Sequence, residues 1–391
     1  MITYEQALAI VKANLHLLGT EKVEMMESLN RVLRQDVLSD MNMPPFDKSA
    51  MDGYACKKED LANELEVIET IQAGYKPNKK IGKNQCAKIM TGAMIPDGAD
   101  CVIIVEEIEE VSPNKIIFMK EKTSANICYK AEDVVVGQKL LEAGIRLTEK
   151  EISSLALTGC VNSLVSLKPK VGIITTGDEI IEPSNVPLES QIRNTNAYQL
   201  IAQCKNFGCD TTYYGIVKDN EKEITSALLN AKEENDLILI TGGVSMGEFD
   251  LVPAILKKIG FNLLFEKVAV QPGKPTIFGK SKNTFAFGMP GNPVSSFIVF
   301  EFFVKELLAG LMGLNNYYKT LPFEMAFDFK RKRNERLARI PVKINDEGKI
   351  ESVEYHGSAH ISSLALADGI MSVPIGISEI KKGSIVNVRQ I

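Results

Sequence analysis

Residues 237–253 read Leu-Ile-Leu-Ile-Thr-Gly-Gly-Val-Ser-Met-Gly-Glu-Phe-Asp-Leu-Val-Pro, and no other stretch constrains the fold as much. The short apolar run at 237–240 suits an interior parallel strand, covered on both faces. Gly242, Gly243 and Gly247, with Ser245 between them, let the backbone turn sharply and approach a ligand closely. Asp250 then stands at a helix start. Free amides there suit anions, and a carboxylate can hold a hard cation that also meets a phosphate. By itself Asp250 suits an ordinary helix cap equally well.

The pattern occurs twice. Residues 171–180 read Val-Gly-Ile-Ile-Thr-Thr-Gly-Asp-Glu-Ile, a strand that runs into Gly177 and the acids Asp178 and Glu179. Ligands of open α/β sheets collect beyond the carboxyl ends of strands, so two such turns point to one shared polar crevice. Neither turn is a Walker loop or a Gly-x-Gly-x-x-Gly fingerprint. Asp219, at the end of a strand over 212–217, adds a third acid on that edge, although as the N-cap of a helix at 221 it needs no function.

From residue 169 strands and helices alternate. Strands are expected at 171–175, 212–217, 237–240, 263–269 and 284–287, and helices at 196–207, 221–234, 250–259 and 294–312. This predicts a doubly wound parallel sheet over residues 169–317. Apolar periodicity predicts helices over 3–18 and 24–33. Thr148 with Glu151 forms a capping-box signature for a helix over 149–158. Residues 1–40 with 138–168 therefore read as a helical linking domain. Short β-type runs at 66–71, 87–90, 101–105 and 115–119 mark residues 41–137 as a β-rich insert. Residues 318–391 return to short strands and turns, a C-terminal β-barrel. The fold class is multidomain α/β.

The bulk numbers narrow the function. At 391 residues the chain exceeds what one core serves. A net charge of −5 argues against general nucleic-acid binding. No apolar stretch is long enough to span a bilayer, and the first residues lack a basic leader, so a cytoplasmic protein is expected. Seven scattered cysteines without a CxxC read as reduced packing residues. His16, His356 and His360 are too few for a histidine-rich metal centre, and no Ser-His-Asp or Cys-His nucleophile can be assembled.

Four further loops carry chemistry. Residues 44–55, Pro-Pro-Phe-Asp-Lys-Ser-Ala-Met-Asp-Gly-Tyr-Ala, present Asp47, Lys48, Ser49 and Asp52 on a rigid loop. Thr91 opens a glycine loop at 91–100 that also reads as two plain turns. Lys267 precedes the turn Pro272-Gly273-Lys274-Pro275, where Lys274 is a candidate for neutralising a phosphate or oxyanion. Pro290-Gly291-Asn292-Pro293 leads into the long helix, with Asn292 and Pro293 as cap and first-turn proline and amides near Ser295 as an anion site. The basic run 330–339 reads first as a solvated strand face, with contact to substrate anions or RNA as the alternative. Carboxylates, anion-binding turns and lysines together suit a magnesium-dependent reaction on a phosphorylated substrate.

In this order the stretches at 44–55, 91–100, 175–179, 193–196 (Arg-Asn-Thr-Asn), 242–250, 272–275 and 290–295 resemble the molybdopterin molybdenumtransferase family, the bacterial MoeA enzymes and the E domain of gephyrin. Gly-Ser-Ala-His at 357–360 is similar to that family's barrel more loosely. The resemblance implies a four-domain, elongated homodimer that inserts molybdate into adenylylated molybdopterin with Mg2+, releasing AMP and the molybdenum cofactor. It implies a metal held by Glu179, Asp219 and Asp250, with Lys267 and Lys274 offsetting anionic repulsion. It implies a site shared between subunits, Asp52 acting across the interface. The matching motifs add Ser49, Thr91, Asp133, Gly177, Asp178, Asn194, Thr195, Gly242, Gly243, Ser245, Gly247, Pro272, Gly273, Pro290, Gly291, Asn292 and Ser295 as substrate-binding positions. A molybdopterin adenylyltransferase is the implied upstream partner. Two rivals are a molybdopterin adenylyltransferase activity and a non-catalytic gephyrin-like scaffold.

Two departures stand out. Where the family has Asn-Ile-Arg-x-x-Gly-Glu-Asp, residues 126–133 read Asn-Ile-Cys-Tyr-Lys-Ala-Glu-Asp, so Cys128 and Ala131 replace an arginine and a glycine while Asp133 is kept. Gln271 occupies a position that is often basic. The oxyanion site therefore carries less positive charge than in some relatives.

Overall fold

The computed structural model describes residues 1–244, 251–355 and 357–391, so the expectations for Ser245, Gly247, Asp250 and His356 lie outside the described residues. The chain divides into two compact units. One comprises Met1–Gln35, Ala143–Thr148 and Asn162–Ile391, and the other Asp36–Glu142 with Glu149–Val161.

The larger unit is built on a six-stranded sheet in the order Asp210–Val217, Lys170–Thr176, Leu237–Thr241, Thr284–Met289, Ile277–Ser281, Asn262–Phe265. The first four strands are parallel. Alternation decides which residue meets which layer. Val171, Ile173, Leu237 and Leu239 pack with Ala197 and Leu200 of the helix Asn196–Asn206. Ile174, Ile238 and Ile240 pack on the other side with Ile224 and Leu228 of Glu221–Glu234 and Ile255 of Val252–Lys258. Each such buried side chain contributes about 1.5–3 kcal/mol. Both faces being covered, the strands carry no polar alternation, as their sequences showed.

Four expectations are corrected here. The sheet is not wholly parallel, because Ile277–Ser281, which was not anticipated, pairs antiparallel with both Thr284–Met289 and Asn262–Phe265. A Lys282-Asn283 turn, with Lys282 at φ 51, joins that hairpin. No helix covers 24–33: Thr20–Glu24 is a strand paired with Asn162–Ser166, followed by one 3-10 turn at Met26–Ser28. Asn30 adopts φ 65, Met26 and Leu29 are exposed, and Val32 and Leu33 are buried as extended residues bridged to Arg146 and Val165, so no continuous helical face forms there. The long helix is two helices, Pro293–Val299 and Lys305–Met312, joined by a π-helical turn at Phe300–Val304. The basic run 330–339 is not one solvated face. Arg339 is buried between the Phe302 and Tyr4 rings (3.9 and 4.7 Å), and Arg331 donates to the Ile377, Arg336 and Pro374 carbonyls. Guanidinium stacks on rings and forks onto carbonyls where lysine cannot.

The C-terminal strands Leu337–Ile344, Gly369–Val373, Ile385–Gln390 and Thr320–Glu324 form an antiparallel sheet around Met325, Val342, Met371 and Val388. Its far edge is Val270–Gln271, which fastens the barrel beside the Pro272–Pro275 stretch. Among the described residues no helix is long and apolar enough to cross a membrane.

The smaller unit carries a six-stranded sheet ordered Cys101–Ile104, Gly53–Cys56, Gln85–Ile89, Glu64–Ile71, Lys115–Phe118, Ile108–Ser112. One face buries Tyr54, Cys56, Leu65 and Phe118, the other Ala55, Ile71, Ala87 and Val102. None of the seven cysteines forms a disulfide, and burial pushes the Cys86 thiol up to about 12. Gly53 is a steric necessity here, since a Cβ on it would stand 1.9 Å from the Ile103 carbonyl oxygen. Gly53→Ala is therefore expected to destabilise this unit by about 1–3 kcal/mol, the usual effect of overpacking. Urea unfolding followed by a probe within residues 36–142 would check it.

Candidate active site

At the carboxyl ends of Lys170–Thr176 and Leu237–Thr241 lies a cleft of about 1010 Å³ in the larger unit. The two strand ends are forced together. A Cβ on Gly242 (φ 89) would stand 2.2 Å from the Thr176 carbonyl oxygen, so only glycine allows this approach. Gly243 (φ 57) packs beside Thr176 and Val252, and Gly177 (φ 142) lies against Glu179 and Ile180.

Three acids gather beside the turn after Thr176, and of them only Glu179 lines the cleft. The Asp219 backbone N–H donates to Asp178 Oδ1 at 3.3 Å. Partial burial raises the Asp219 pKa, and the neighbouring Asp178 and Glu179 charges push it further, while the Thr176 hydroxyl pulls it back by favouring the ionised form. The cap explanation of Asp219 does not hold: the N-cap of Glu221–Glu234 is Asn220, whose side chain accepts from the Glu223 N–H at 2.9 Å. Asp219 is thus spared from capping and stands beside two like charges.

Another part of the lining is basic and turn-built. Pro272, Gly273 and Lys274 line it with Gln271. The Lys274 carbonyl accepts from Val268 and Thr276 and the Gly273 carbonyl from the Thr276 hydroxyl (2.6 Å), so the exposed lysine sits on a fixed backbone. A Cβ on Gly273 (φ 104) would meet Val299 Cγ2 at 2.9 Å. Lys267 is not brought here; it lines a separate hollow with Ile2 and Phe265.

Pro290, Gly291, Asn292 and Ser295 form the third wall. Asn292 stands at the N-cap of Pro293–Val299, but its amide donates to Ser358 Oγ (2.8 Å) in place of capping, and the Val294 N–H donates to the Ser358 carbonyl. One helix-start amide is therefore already engaged. Nothing lies within 4 Å of a Cβ placed on Gly291, so the fold itself does not require that glycine. Asn194 and Thr195 also line the cleft, yet the Asn194 amide is fully committed. It donates to Tyr213 (2.8 Å) and Thr175 (3.2 Å) and accepts from Ala197 N–H (3.1 Å).

Thr175, Thr176, Asn196, Arg336, Tyr355 and Ser358 also line the cleft without having been chosen from sequence. Asn196 and Ser358 sat inside recognised motifs. Arg336 was hidden in the basic run and Tyr355 carried no signal. The Asn196 amide donates to the Gly291 carbonyl at 2.7 Å, while its Oδ1 is buried without a partner.

Asp52, Ser49, Thr91 and Asp133 belong to the smaller unit. Asp52 is exposed and accepts from both the Thr91 N–H (2.6 Å) and its hydroxyl (2.8 Å), which holds its carboxyl below the usual range. Ser49 is buried and donates to the Met51 carbonyl at 2.5 Å. Asp133 is exposed, its N–H bonded to the Met43 carbonyl.

Three family profiles match the chain in succession: the MoeA N-terminal region (domain I and II) at 2–159, the probable molybdopterin binding domain at 172–310, and the MoeA C-terminal region (domain IV) at 323–391. The molybdopterin molybdenumtransferase of Bacillus subtilis is 36% identical over 386 residues, spanning 94% of this chain and 89% of its own. The chain belongs to the molybdopterin molybdenumtransferase family. The Haemophilus influenzae molybdopterin molybdenumtransferase is 36% identical over 350 residues, covering 87% and 86% of the two chains. A crystal structure of the molybdopterin biosynthesis MoeA protein from Pyrococcus horikoshii superposes with a TM-score of 0.86 at 31% identity, covering all of both chains. As a family member this chain is an enzyme of molybdenum cofactor biosynthesis.

Because Asp219 has a raised folded-state pKa, its contribution to stability is present at low pH and lost as pH rises through that pKa. Asp219→Asn should melt higher than wild type at pH 7. The gap should close as pH falls towards the ordinary value of 3.8. Thermal melts across that range would show it. Gly291→Ala should melt like wild type, since its methyl meets only open cleft.

Proposed function

We propose that the cleft binds adenylylated molybdopterin and molybdate, and that the enzyme inserts the metal oxyanion and releases AMP with finished cofactor. The observation that carries the reading is Asp219, spared from capping and set beside Asp178 and Glu179, the last of which lines the same cleft as Lys274 and Arg336. Crowded carboxylates and cationic side chains border one cleft, which suits a ligand that brings a cation and phosphates together.

Among the described residues no group of three His, Cys, Asp or Glu side chains could hold a metal by itself. Magnesium seldom needs one: it takes one or two carboxylates, substrate phosphate oxygens and retained waters. Glu179 and Asp219 fit that donor set, and Asp250, proposed from its motif, would complete it. When bound, Mg2+ would polarise the phosphate linkage to AMP and neutralise developing charge.

The chain's own residues have separate tasks. Lys274 and Arg336 would offset repulsion between molybdate, a dianion, and the phosphorylated pterin. Open space over Gly291 would let the ligand approach the backbone. The Asn196 Oδ1, lacking a partner, would accept from a pterin N–H. The dithiolene sulfurs of the pterin supply the bonds to molybdenum, so the protein's work is positioning. The enzyme would act in the cytoplasm as a homodimer, Asp52 of one subunit serving the cleft of the other, downstream of a molybdopterin adenylyltransferase.

Incubation of the purified protein with adenylylated molybdopterin, molybdate and Mg2+ tests this, with AMP measured by chromatography and cofactor by reconstitution of an apo-molybdoenzyme. Glu179→Gln and Asp219→Asn should each lower turnover on the order of 100-fold, the upper range for loss of a metal partner. Asp250→Asn should abolish it without unfolding the chain. ATP-dependent transfer of AMP onto the pterin would replace this reading with adenylylation. Mixed dimers of Asp52→Asn and Asp250→Asn subunits should recover activity; none recovered would refute the shared site.

A further inference from the structure

Behind the cleft wall runs a one-way chain of hydrogen bonds. The Ala197 N–H donates to Asn194 Oδ1 (3.1 Å), Asn194 Nδ2 donates to the Tyr213 hydroxyl (2.8 Å), and that hydroxyl donates to Glu182 Oε1 (2.8 Å). The second Asn194 amide hydrogen goes to Thr175 Oγ1 (3.2 Å), and Tyr198 donates to the other Glu182 oxygen (2.8 Å). A carboxylate at the end of such a chain polarises the phenol, which makes it a better acceptor for Asn194.

Asn194, in the middle of this chain, ties two parts of the site together through Thr175 and Ala197. Thr175 directly precedes Thr176 and the turn bearing Asp178 and Glu179. Ala197 is in the first turn of Asn196–Asn206, whose Asn196 holds the Gly291 carbonyl. Glu182 is itself fixed by the backbone, because Ile180–Ile181 pairs with Ile192–Arg193 and the Asn194 N–H donates to the Ile181 carbonyl at 2.8 Å. Neither Glu182 nor Tyr213 lines the cleft.

We propose that Glu182 and Tyr213 are positioning residues: through Asn194 they hold the acid-bearing turn and the helix start at a fixed separation for the phosphorylated pterin. This rests on the cleft being the substrate site, as set out above. Asn194 then acts as the hinge pin between the walls, with no side-chain hydrogen left for the ligand. Removing the phenol oxygen strands a buried amide hydrogen and loosens both walls together.

Tyr213→Phe, Glu182→Ala, Glu182→Gln and the Tyr213→Phe/Glu182→Ala double variant test this, each read by steady-state kinetics and by hydrogen exchange at the start of Asn196–Asn206. Tyr213→Phe and Glu182→Ala should each raise KM for adenylylated molybdopterin roughly three- to tenfold with kcat within about twofold, as expected for lost ligand positioning. Both should quicken exchange of the Ala197 amide. Glu182→Gln, which keeps one acceptor for a tyrosine hydroxyl, should fall between. The double variant should be no worse than the worse single, since both act in one chain. Unchanged exchange at Ala197, additive effects on KM, or wild-type KM in an active enzyme would overturn the proposal. Quickened exchange in a protein whose wild type inserts no molybdate would leave the relay standing and refute the functional reading instead.

Discussion

The approach of Gly242 to the Thr176 carbonyl is the constraint on which the site depends. Two interior parallel strands end side by side, and their turns must leave in directions that a side chain would block. The strands are locked residue against residue by burial on both faces, so their ends cannot drift apart to admit a Cβ. Glycine at 242, with φ 89, resolves the clash and in doing so opens the cleft floor. The acid turn after Thr176 and the wall after Thr241 then face the same space.

That space carries an electrostatic conflict. Asp219 sits beside Asp178 and Glu179, and its pKa is raised first by partial burial and then by their like charges. A fold selected for stability alone would have used Asp219 to cap the neighbouring helix; Asn220 does so instead. Charge crowding of this kind is what a bound cation relieves, and it marks sites where stability yields to chemistry. Lys274, on a turn pinned by Thr276, lines the same cleft as Glu179 and supplies the complementary sign.

Much of this was legible in the chain. Strands such as Leu237–Thr241 and helices such as Glu221–Glu234 were readable because local pattern and burial agree there. The misplaced helix at 24–33 shows the opposite case. Its apolar spacing was helical, but pairing of Thr20–Glu24 with Asn162–Ser166, more than a hundred residues away in sequence, won over local preference. Arg339 read as a surface charge because nothing local reveals the Phe302 and Tyr4 rings packed against it. Lys267 and Lys274, seven residues apart, read as partners, yet only Lys274 reaches the cleft.

The sequence by itself determined the kinds of groups at the site: glycines where backbones meet, acids and a lysine on turns after strands, in an order that identifies the family. It could do so because these features are local, each set by a few adjacent residues. Only the tertiary structure decided which of them converge. Asp219 meeting Asp178, Ser358 taking the Asn292 amide, Arg336 joining the wall, and Tyr213 supporting Asn194 all join residues far apart in the chain. Such pairings follow from how buried layers pack, a property of the whole core that no short window of residues contains.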